Sequence, residues 1–228
     1  MEIKRHELKY YINYIDYMYL SSILSNLFNK DRYEEKIDGY HVRSIYFDNK
    51  SDNNYYQKLS GIENRKKYRI RIYNLRSDAV RLEIKNKDNN IISKETIFIN
   101  RDDVKAITSG EYECLLKYDN RVARKIYSEF KKDYYKPVVM IDFIRCAYYY
   151  DFYDLRITFD KQLKKNEINI YDIFKKNLTM DAVLNSNKII LEIKYNNILP
   201  IWIKNLLQIS RFERCAISKY TLSRFIEG

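Results

Sequence analysis

Charged side chains, with Thr158 among them, occupy every second position in five short segments of the sequence. The segments read "RHELKY" at 5–10, "KKYRIRIY" at 66–73, "RLEIKN" at 81–86, "DLRITFD" at 154–160 and "LEIKY" at 191–195. Residues i and i+2 of a β-strand project from the same face, so Glu7 and Lys9 share one face. The positions between them are mostly apolar, as with Leu191 and Ile193. Each segment therefore predicts a strand with one charged face and one apolar face.

The charged faces combine many arginines and lysines with a few glutamates. Arginine and lysine bind phosphate oxygens, whereas carboxylates bind divalent cations such as Mg²⁺ and Mn²⁺. The combination suits a site that holds a phosphate-rich polyanion together with a metal ion. A solvated outer face of an antiparallel sheet would show the same alternation. The pattern alone leaves both structures open, an amphipathic sheet in water and a barrel whose charged faces line a tunnel.

Composition limits the classes of protein to consider. The 228 residues include 42 lysines and arginines against 31 acidic residues, a formal net charge of +11, which predicts an anionic partner. Cys114, Cys146 and Cys215 lack the spacing of a zinc site or a disulfide framework, which favours a reduced protein. The sequence has no long apolar window and no signal-type N-terminus. We therefore expect a cytoplasmic single domain over 1–228 without a transmembrane segment.

Periodicity and turn signals predict the elements that must position these charges. Strands are expected near 2–12, 40–48, 66–73, 80–86, 91–99, 137–148, 155–160 and 189–195. Helices are expected at 13–28, from Asn100 or Asp102 to Lys117, at 120–132, after Pro200 and from Ser218 onward. Eight strands joined mostly by short connections predict an α+β protein with an antiparallel sheet or a closed barrel.

Longer motifs follow one another along nearly the whole chain. They read "RHELKYYI", "VRSIYFDN", "RKKYRIRIY", "LEIKNK", "KPVVMIDFIRCAY", "DLRITFDKQL", "LEIKYNNILPIWIKNLL" and "ISKYTLS". In this order the sequence resembles the polyphosphate polymerase domain of the vacuolar transporter chaperone (VTC) family, within the triphosphate tunnel metalloenzyme (CYTH-like) superfamily. The resemblance implies an eight-stranded antiparallel β-barrel that encloses a basic tunnel, with helices packed outside. It also implies transfer of the γ-phosphoryl group of ATP to a growing inorganic polyphosphate chain, with Mn²⁺ or Mg²⁺ bound.

The resemblance further implies roles for individual residues. The phosphates of ATP would be bound, and the reaction catalysed, by Lys9, Arg69, Arg71 and Lys85 together with Glu192. Other phosphate-binding residues would be Lys94, Arg145, Arg156, Lys194, Ser218 and Lys219. The metal ligand would be Glu192, with Glu7 and Glu83 as helpers.

Other interpretations of these residues stay open at the level of sequence. Glu83 and Lys85 suit an ordinary ion pair as well as a tunnel, and Ser218 suits a helix N-cap. Arg5 stands where hydrolytic relatives in the superfamily carry a glutamate, which favours the polymerase branch but leaves fewer carboxylates for metal. The alternative functions are a tripolyphosphate or nucleoside triphosphate hydrolase on the same fold and a non-catalytic polyanion-binding module. The expected ligands are ATP and inorganic polyphosphate, and DNA is not expected.

Overall fold

A computed structural model of the chain describes residues 6–31, 33, 38–76, 78–88, 91–151, 154–168, 170–196, 198–209 and 212–225. Arg5 lies outside the described residues, so its place relative to the charged faces stays a prediction. The extent of the domain over 1–228 also stays a prediction.

Strands make up most of the described fold. They are β1 (His6–Ile12), β2 (Asn29–Lys30), β3 (Tyr40–Asp48), β4 (Arg65–Tyr73), β5 (Val80–Asp88), β6 (Ile91–Ile99), β7 (Lys136–Tyr150), β8 (Leu155–Asn166), β9 (Asp181–Ala182) and β10 (Ile189–Tyr195). Eight of them form one antiparallel sheet in the order β1-β10-β8-β7-β3-β4-β5-β6, while β2 and β9 pair with β7 and β8. The predicted eight-stranded antiparallel α+β fold is confirmed.

The sheet curls into a half-barrel, which brings side chains from its two ends together. The edge strands are β1 and β6, and among the described residues no backbone pairing joins them. Across this seam, the Glu7 carboxylate of β1 lies 3.0 Å from Lys85 Nζ of β5. Side-chain ion pairing therefore links the two ends of the sheet where backbone hydrogen bonds do not.

Helices lie between or after the strands. They are α1 (Tyr14–Leu27), α2 (Asn53–Leu59), α3 (Arg101–Thr108), a 3₁₀ helix (Tyr112–Lys117), α4 (Arg121–Lys132), α5 (Ile201–Ile209) and α6 (Lys219–Arg224). Of these helices in the described part of the chain, none combines the length and apolar character needed to cross a membrane.

Two helical features differ from the sequence prediction. The helix expected to reach Lys117 ends at Thr108, and the 3₁₀ helix is separate. Gly110, between them, has a φ of +93°, a left-handed conformation that an α-helix cannot continue. The sequence also gave no signal for α2, whose seven residues are too few to show a helical period.

The apolar faces of the strands form the outer side of the half-barrel. Ile70 and Leu82 of β4 and β5 are fully buried against Ile126 and Phe130 of α4. A second apolar cluster joins β1, β8 and β10 to α1 and α5. Complete burial of one such side chain contributes about 1.5–3 kcal/mol, so these contacts fix which strand face points outward.

One helix departs from the expectation that helices pack only outside. The last helix, α6, contacts the charged inner side of the sheet, where the Tyr220 ring stacks on Tyr46 with 5.4 Å between ring centroids. The Tyr220 hydroxyl also donates a hydrogen bond to the buried Asp48. The end of the described chain therefore covers part of the inner face.

Gly39 precedes β3 at a point of close backbone approach, which generates a stability prediction. Its φ is +98°, and a Cβ atom there would lie 2.4 Å from the carbonyl oxygen of Arg145 on β7. We expect Gly39→Ala to lower the free energy of unfolding by about 2–4 kcal/mol, because backbone strain and steric overlap add. Urea denaturation would measure the change.

Gly61→Ala is the matched control for this substitution. Gly61 also has a positive φ, +72°, but a Cβ atom there would meet nothing within 4 Å. We expect a loss of only about 1–2 kcal/mol from backbone strain. Equal losses for the two variants would contradict the close approach of β3 and β7 at Gly39.

Candidate functional site

The inner face of the half-barrel carries a cavity of about 570 Å³. Among the described residues, its wall holds two glutamates, Glu7 and Glu192, and twelve basic residues. The basic residues are Lys9, Lys58, Arg65, Lys67, Arg69, Arg71, Lys85, Lys87, Arg145, Lys194, Arg214 and Lys219. Positive charge at this density requires counter-charges, which either the protein or a bound anion must supply.

Strand pairing places opposite charges against each other at the centre of the cavity. The register of β1 and β10 sets Lys9 opposite Glu192 and Glu7 opposite Lys194. Lys9 Nζ lies 3.2 Å from Glu192 Oε1, and Lys194 Nζ lies 3.0 Å from Glu192 Oε2. Glu7 lies 3.5 Å from Lys194 Nζ and also contacts Lys85. Two carboxylates thus hold three lysines together.

Burial and charge act in opposite directions on the pKa values of these groups. Burial raises the pKa of Glu192, but Lys194 and Lys9 hold it well below its ordinary value. Burial lowers the pKa of Lys9, yet Glu7 and Glu192 outweigh burial and raise it. For Lys85, burial and the nearby Lys9 exceed the opposing effect of Glu7, and its pKa falls to about 8. A further anion beside Lys85 would therefore raise its pKa again.

A second charged group joins β7 and β8 to α6. Arg145 donates two hydrogen bonds to Asp160, at 2.6 and 2.7 Å, and Lys219 Nζ lies 2.5 Å from the same carboxylate. Arg145 Nη2 also lies 3.6 Å from Glu192 Oε2. Ser218 is the N-cap of α6, so the helix begins where Lys219 enters the cavity. Asp160, which has no predicted role, holds two cations in place.

A third group lies on β4 and β5. The fully buried Glu83 accepts a hydrogen bond from Arg69 Nε at 2.7 Å and contacts Lys94 Nζ at 3.2 Å. Burial raises the pKa of Glu83, but Arg69 and Arg71 hold it well below its ordinary value. Arg69 also donates to the Tyr46 hydroxyl at 3.1 Å. Burial raises the pKa of Tyr46, while Arg69 and Arg71 more than offset this and lower it to about 8.

The structure brings most of the predicted site residues to this cavity. Ten of them line its wall: Glu7, Lys9, Arg69, Arg71, Lys85, Arg145, Glu192, Lys194, Ser218 and Lys219. Glu83, Lys94 and Arg156 do not line the cavity. Glu83 pairs with Lys94, and Arg156 donates hydrogen bonds to Asp31 and Tyr40. The functions of all these residues stay predictions.

Five further basic residues line the cavity without a predicted role: Lys58, Arg65, Lys67, Lys87 and Arg214. Lys67 already shares the charged face of "KKYRIRIY" with Arg69 and Arg71, and extending the alternation along β4 and β5 would have found Arg65 and Lys87. Lys58 lies on α2 and Arg214 lies in an irregular segment. Only the tertiary fold brings these last two to the cavity.

The carboxylates fit one kind of metal site. Within the described residues, no group of three or more histidine, cysteine, aspartate or glutamate side chains is placed to bind a metal ion. Glu7 and Glu192 do lie together, because both contact Lys9 and Lys194. Mg²⁺ in phosphate-transfer sites is commonly held by one or two carboxylates and by the phosphates themselves. The donor set therefore fits a metal ion that arrives with a phosphate ligand.

The curled antiparallel sheet, with helices on its apolar side and a cationic cavity with two carboxylates on its inner side, has the triphosphate-tunnel fold. The VTC domain family matches residues 4–225, nearly the entire sequence. The chain therefore belongs to the VTC domain family.

One solved structure shows a related fold at low sequence identity. A protein from Bacillus halodurans, proposed to be an adenylate cyclase, is 10% identical with a TM-score of 0.57, over 94% of this chain and 93% of that chain. A protein from Vibrio parahaemolyticus, also proposed to be an adenylate cyclase, is 11% identical with a TM-score of 0.48, over 96% of each chain. A comparison with curated proteins gives no match. The similarity to the Bacillus halodurans protein concerns the fold alone.

Tyr46 generates a testable prediction for the electrostatics of the cavity. Because the cations at Arg69 and Arg71 favour the tyrosinate, Tyr46 should ionise with a pKa of about 8, and it should be neutral below that pH and anionic above it. The absorbance of tyrosinate would be measured against pH for the wild-type protein and for Tyr46→Phe. The difference curve, wild type minus variant, should show one step near pH 8.

Tyr112→Phe is the control for this titration. Tyr112 is buried away from the cavity, and burial raises its pKa, so its difference curve should show no step near pH 8. A Tyr46 step at the ordinary tyrosine pKa of about 10 would contradict the close approach of Arg69 and Arg71.

Proposed function

We propose that the protein is an ATP-dependent polyphosphate polymerase, a phosphotransferase that passes the γ-phosphoryl group of ATP to a growing inorganic polyphosphate chain. One observation carries the proposal: Glu7 and Glu192 lie among Lys9, Lys85 and Lys194 in a cavity whose other charged side chains, among the residues that the structure describes, are cations. A triphosphate requires cations around its oxygens, and a bridging metal requires carboxylates beside them. Membership of the VTC domain family supports the same activity.

The cations suit binding of consecutive phosphate groups. Arg69 and Arg71 project from β4, whereas Arg145 and Lys219 approach from β7 and α6, so a phosphate chain between them would be contacted from two sides. Phosphoryl transfer depends mainly on positioning and on neutralisation of charge, and fixed cations in a buried site supply both. The acceptor phosphate is already ionised, so the transfer needs no separate general base.

The carboxylates divide between two proposed tasks. Glu83 and Asp160 would fix the directions of Arg69, Arg145 and Lys219 before any ligand binds, which removes part of the ordering cost. Glu192, with Glu7 beside it, would hold Mn²⁺ or Mg²⁺. Such an ion would supply positive charge that stabilises the transition state of phosphoryl transfer. We therefore assign metal binding to Glu192 and Glu7 and an anchoring task to Glu83.

Glu192→Gln separates a catalytic role from simple charge balance. Incubation of the wild-type protein with ATP and Mn²⁺ should give a ladder of polyphosphate on a gel. In the variant we expect chain synthesis to fall at least about 100-fold, because a metal ion contributes several kcal/mol to transition-state stabilisation. Binding of tripolyphosphate without metal should persist or strengthen, since the substitution removes one negative charge.

Glu95→Gln is the matched control, because Glu95 on β6 also pairs with a lysine, Lys125, at 2.6 Å but faces away from the cavity. Its activity should stay at the wild-type level.

Release of phosphate from ATP without chain growth would replace the polymerase with a triphosphate hydrolase. Binding of polyphosphate without either reaction would indicate a non-catalytic module. Full synthesis by Glu192→Gln would contradict the assignment of the metal ligand.

A further inference from the structure

The carboxylate of Asp48 is fully buried and accepts hydrogen bonds on both oxygens. Asp48 is the last residue of β3, and it lies outside the lining of the cavity. Its Oδ1 accepts from the backbone N–H groups of Asn49 at 2.9 Å and of Asn54 at 3.0 Å. Its Oδ2 accepts from the backbone N–H of Tyr55 at 3.0 Å and from the Tyr220 hydroxyl at 2.5 Å. These four donors offset the cost of burying the charge.

Two of the four donors belong to the first turn of α2. The N–H groups of a first helical turn have no partner within the helix, and a side chain at the N-cap usually accepts from them. The N-cap residue of α2, Asp52, makes no such hydrogen bond. Asp48 replaces it, because its carboxylate accepts from Asn54 and Tyr55. The start of α2 is therefore fixed by the end of β3.

The last helix, α6, is held by the same connection between β3 and α2. It has only six residues, and a helix of that length is not stable by itself. Tyr220 donates to Asp48, and Arg224 Nη2 lies 2.9 Å from Asp52 Oδ2. The Tyr220 ring also stacks on Tyr46. Side-chain contacts therefore determine the position of α6, and two of them end on carboxylates of this connection.

The position of α6 determines where two predicted site residues meet the cavity. Lys219, the residue before Tyr220, lines the cavity and lies 2.5 Å from Asp160. Ser218 caps the helix and accepts a hydrogen bond from Lys67 Nζ at 2.6 Å. Lys219 and Tyr220 belong to the same helical turn. A movement of Tyr220 away from β3 would therefore also displace the Lys219 ammonium group.

We propose that Asp48 is a positioning residue of the cavity: by accepting the hydrogen bond from Tyr220, it holds the start of α6 so that Lys219 contacts a phosphate group of the bound ligand. The identity of that ligand as a triphosphate rests on the proposed function. Burial raises the pKa of Asp48, and the hydrogen bonds from Tyr220 and from the start of α2 oppose this rise. The donors that Asp48 positions thus help to keep it charged.

A single hydroxyl group provides the test. Tyr220→Phe removes the hydrogen bond to Asp48 and keeps the ring. Tyr118→Phe is the matched control, because the Tyr118 hydroxyl donates to another buried aspartate, Asp103, and neither of these two lines the cavity. Each variant loses a hydrogen bond to a carboxylate, so thermal melts should show a Tm lower by about 3–10 °C for both. Calorimetric titration with tripolyphosphate, without metal, would give the Kd.

We expect Tyr220→Phe to weaken the binding of tripolyphosphate about fivefold to tenfold, whereas Tyr118→Phe should stay within about twofold of wild type. Lys219→Gln distinguishes positioning from a general loss of structure. In the Lys219→Gln background, Tyr220→Phe should change the Kd by less than about twofold, because the group that the hydroxyl positions is gone. An equal loss in both backgrounds, or no loss from Tyr220→Phe, would overturn the proposal.

Arg224→Gln breaks the other link of α6 to the same connection, and it replaces Tyr220→Phe if that variant does not fold. Its side chain is partly exposed, so the core stays intact. We expect binding of tripolyphosphate to weaken about twofold to threefold, since one link remains. In the Lys219→Gln background this loss should disappear. A loss that persists there would contradict a role of α6 in positioning Lys219.

The outcomes for Asp48 and for the proposed function can be distinguished. A protein that binds tripolyphosphate and shows this coupling, but makes no polyphosphate from ATP and Mn²⁺, would contradict the polymerase and support the positioning role. An active polymerase without the coupling would contradict the positioning role alone. A wild-type protein that binds no tripolyphosphate would contradict both.

Discussion

Ion pairing around Glu7 is the interaction on which the rest of the inner face depends. The curled sheet is open between β1 and β6, and Glu7 contacts Lys85 across that seam as well as Lys194 on the neighbouring strand. Without Glu7, Lys85 would lose the ion pair that it makes across the seam, and Glu192 alone would pair with Lys9 and Lys194. Removal of one partner from a buried ion pair typically costs about 3–5 kcal/mol, so the seam and the site are coupled.

The same constraint explains why the cavity has distinct zones. Glu7, Glu192, Glu83 and Asp160 each pair with at least one cation and hold it in a fixed direction, as Glu83 holds Arg69 and Asp160 holds Arg145. Fixed cations suit a site in which charge changes during a reaction. Lys67 has no ion pair among the described residues; it donates a hydrogen bond to Ser218 Oγ, and burial together with the nearby Lys9 and Lys85 lowers its pKa well below the ordinary value.

The sequence alone could predict which residues lie on the charged face of a strand. It could not predict which of those residues reach the cavity. Alternation was sufficient to place Lys9, Arg69 and Glu192 on the charged side, because a strand with a buried apolar face has only one register that satisfies it. Lys94 and Arg156 do belong to charged strand faces, yet Glu83 and Asp31 engage them outside the lining of the cavity. The position of a side chain along a curled sheet depends on the tertiary structure.

Other features carried no local signal at all. Lys58 reaches the cavity from α2, a helix of seven residues that is too short to be recognised by periodicity. Arg214 reaches it from an irregular segment that meets β1 at a bridge to Tyr10. The anchoring role of Asp160 depends on Arg145 from the next strand and on Lys219 from the last helix, and such long-range partners appear only in the folded chain.

A crystal structure with Mn²⁺ and a non-hydrolysable ATP analogue would test the central claim most directly. The central claim is that the charged strand faces enclose a binding site for a triphosphate. The account predicts that the triphosphate lies inside the cavity in contact with Lys9, Arg69 and Lys85, with the metal ion on Glu192. A triphosphate bound outside the cavity, with the ion pairs of Glu7 and Glu192 unchanged, would contradict it.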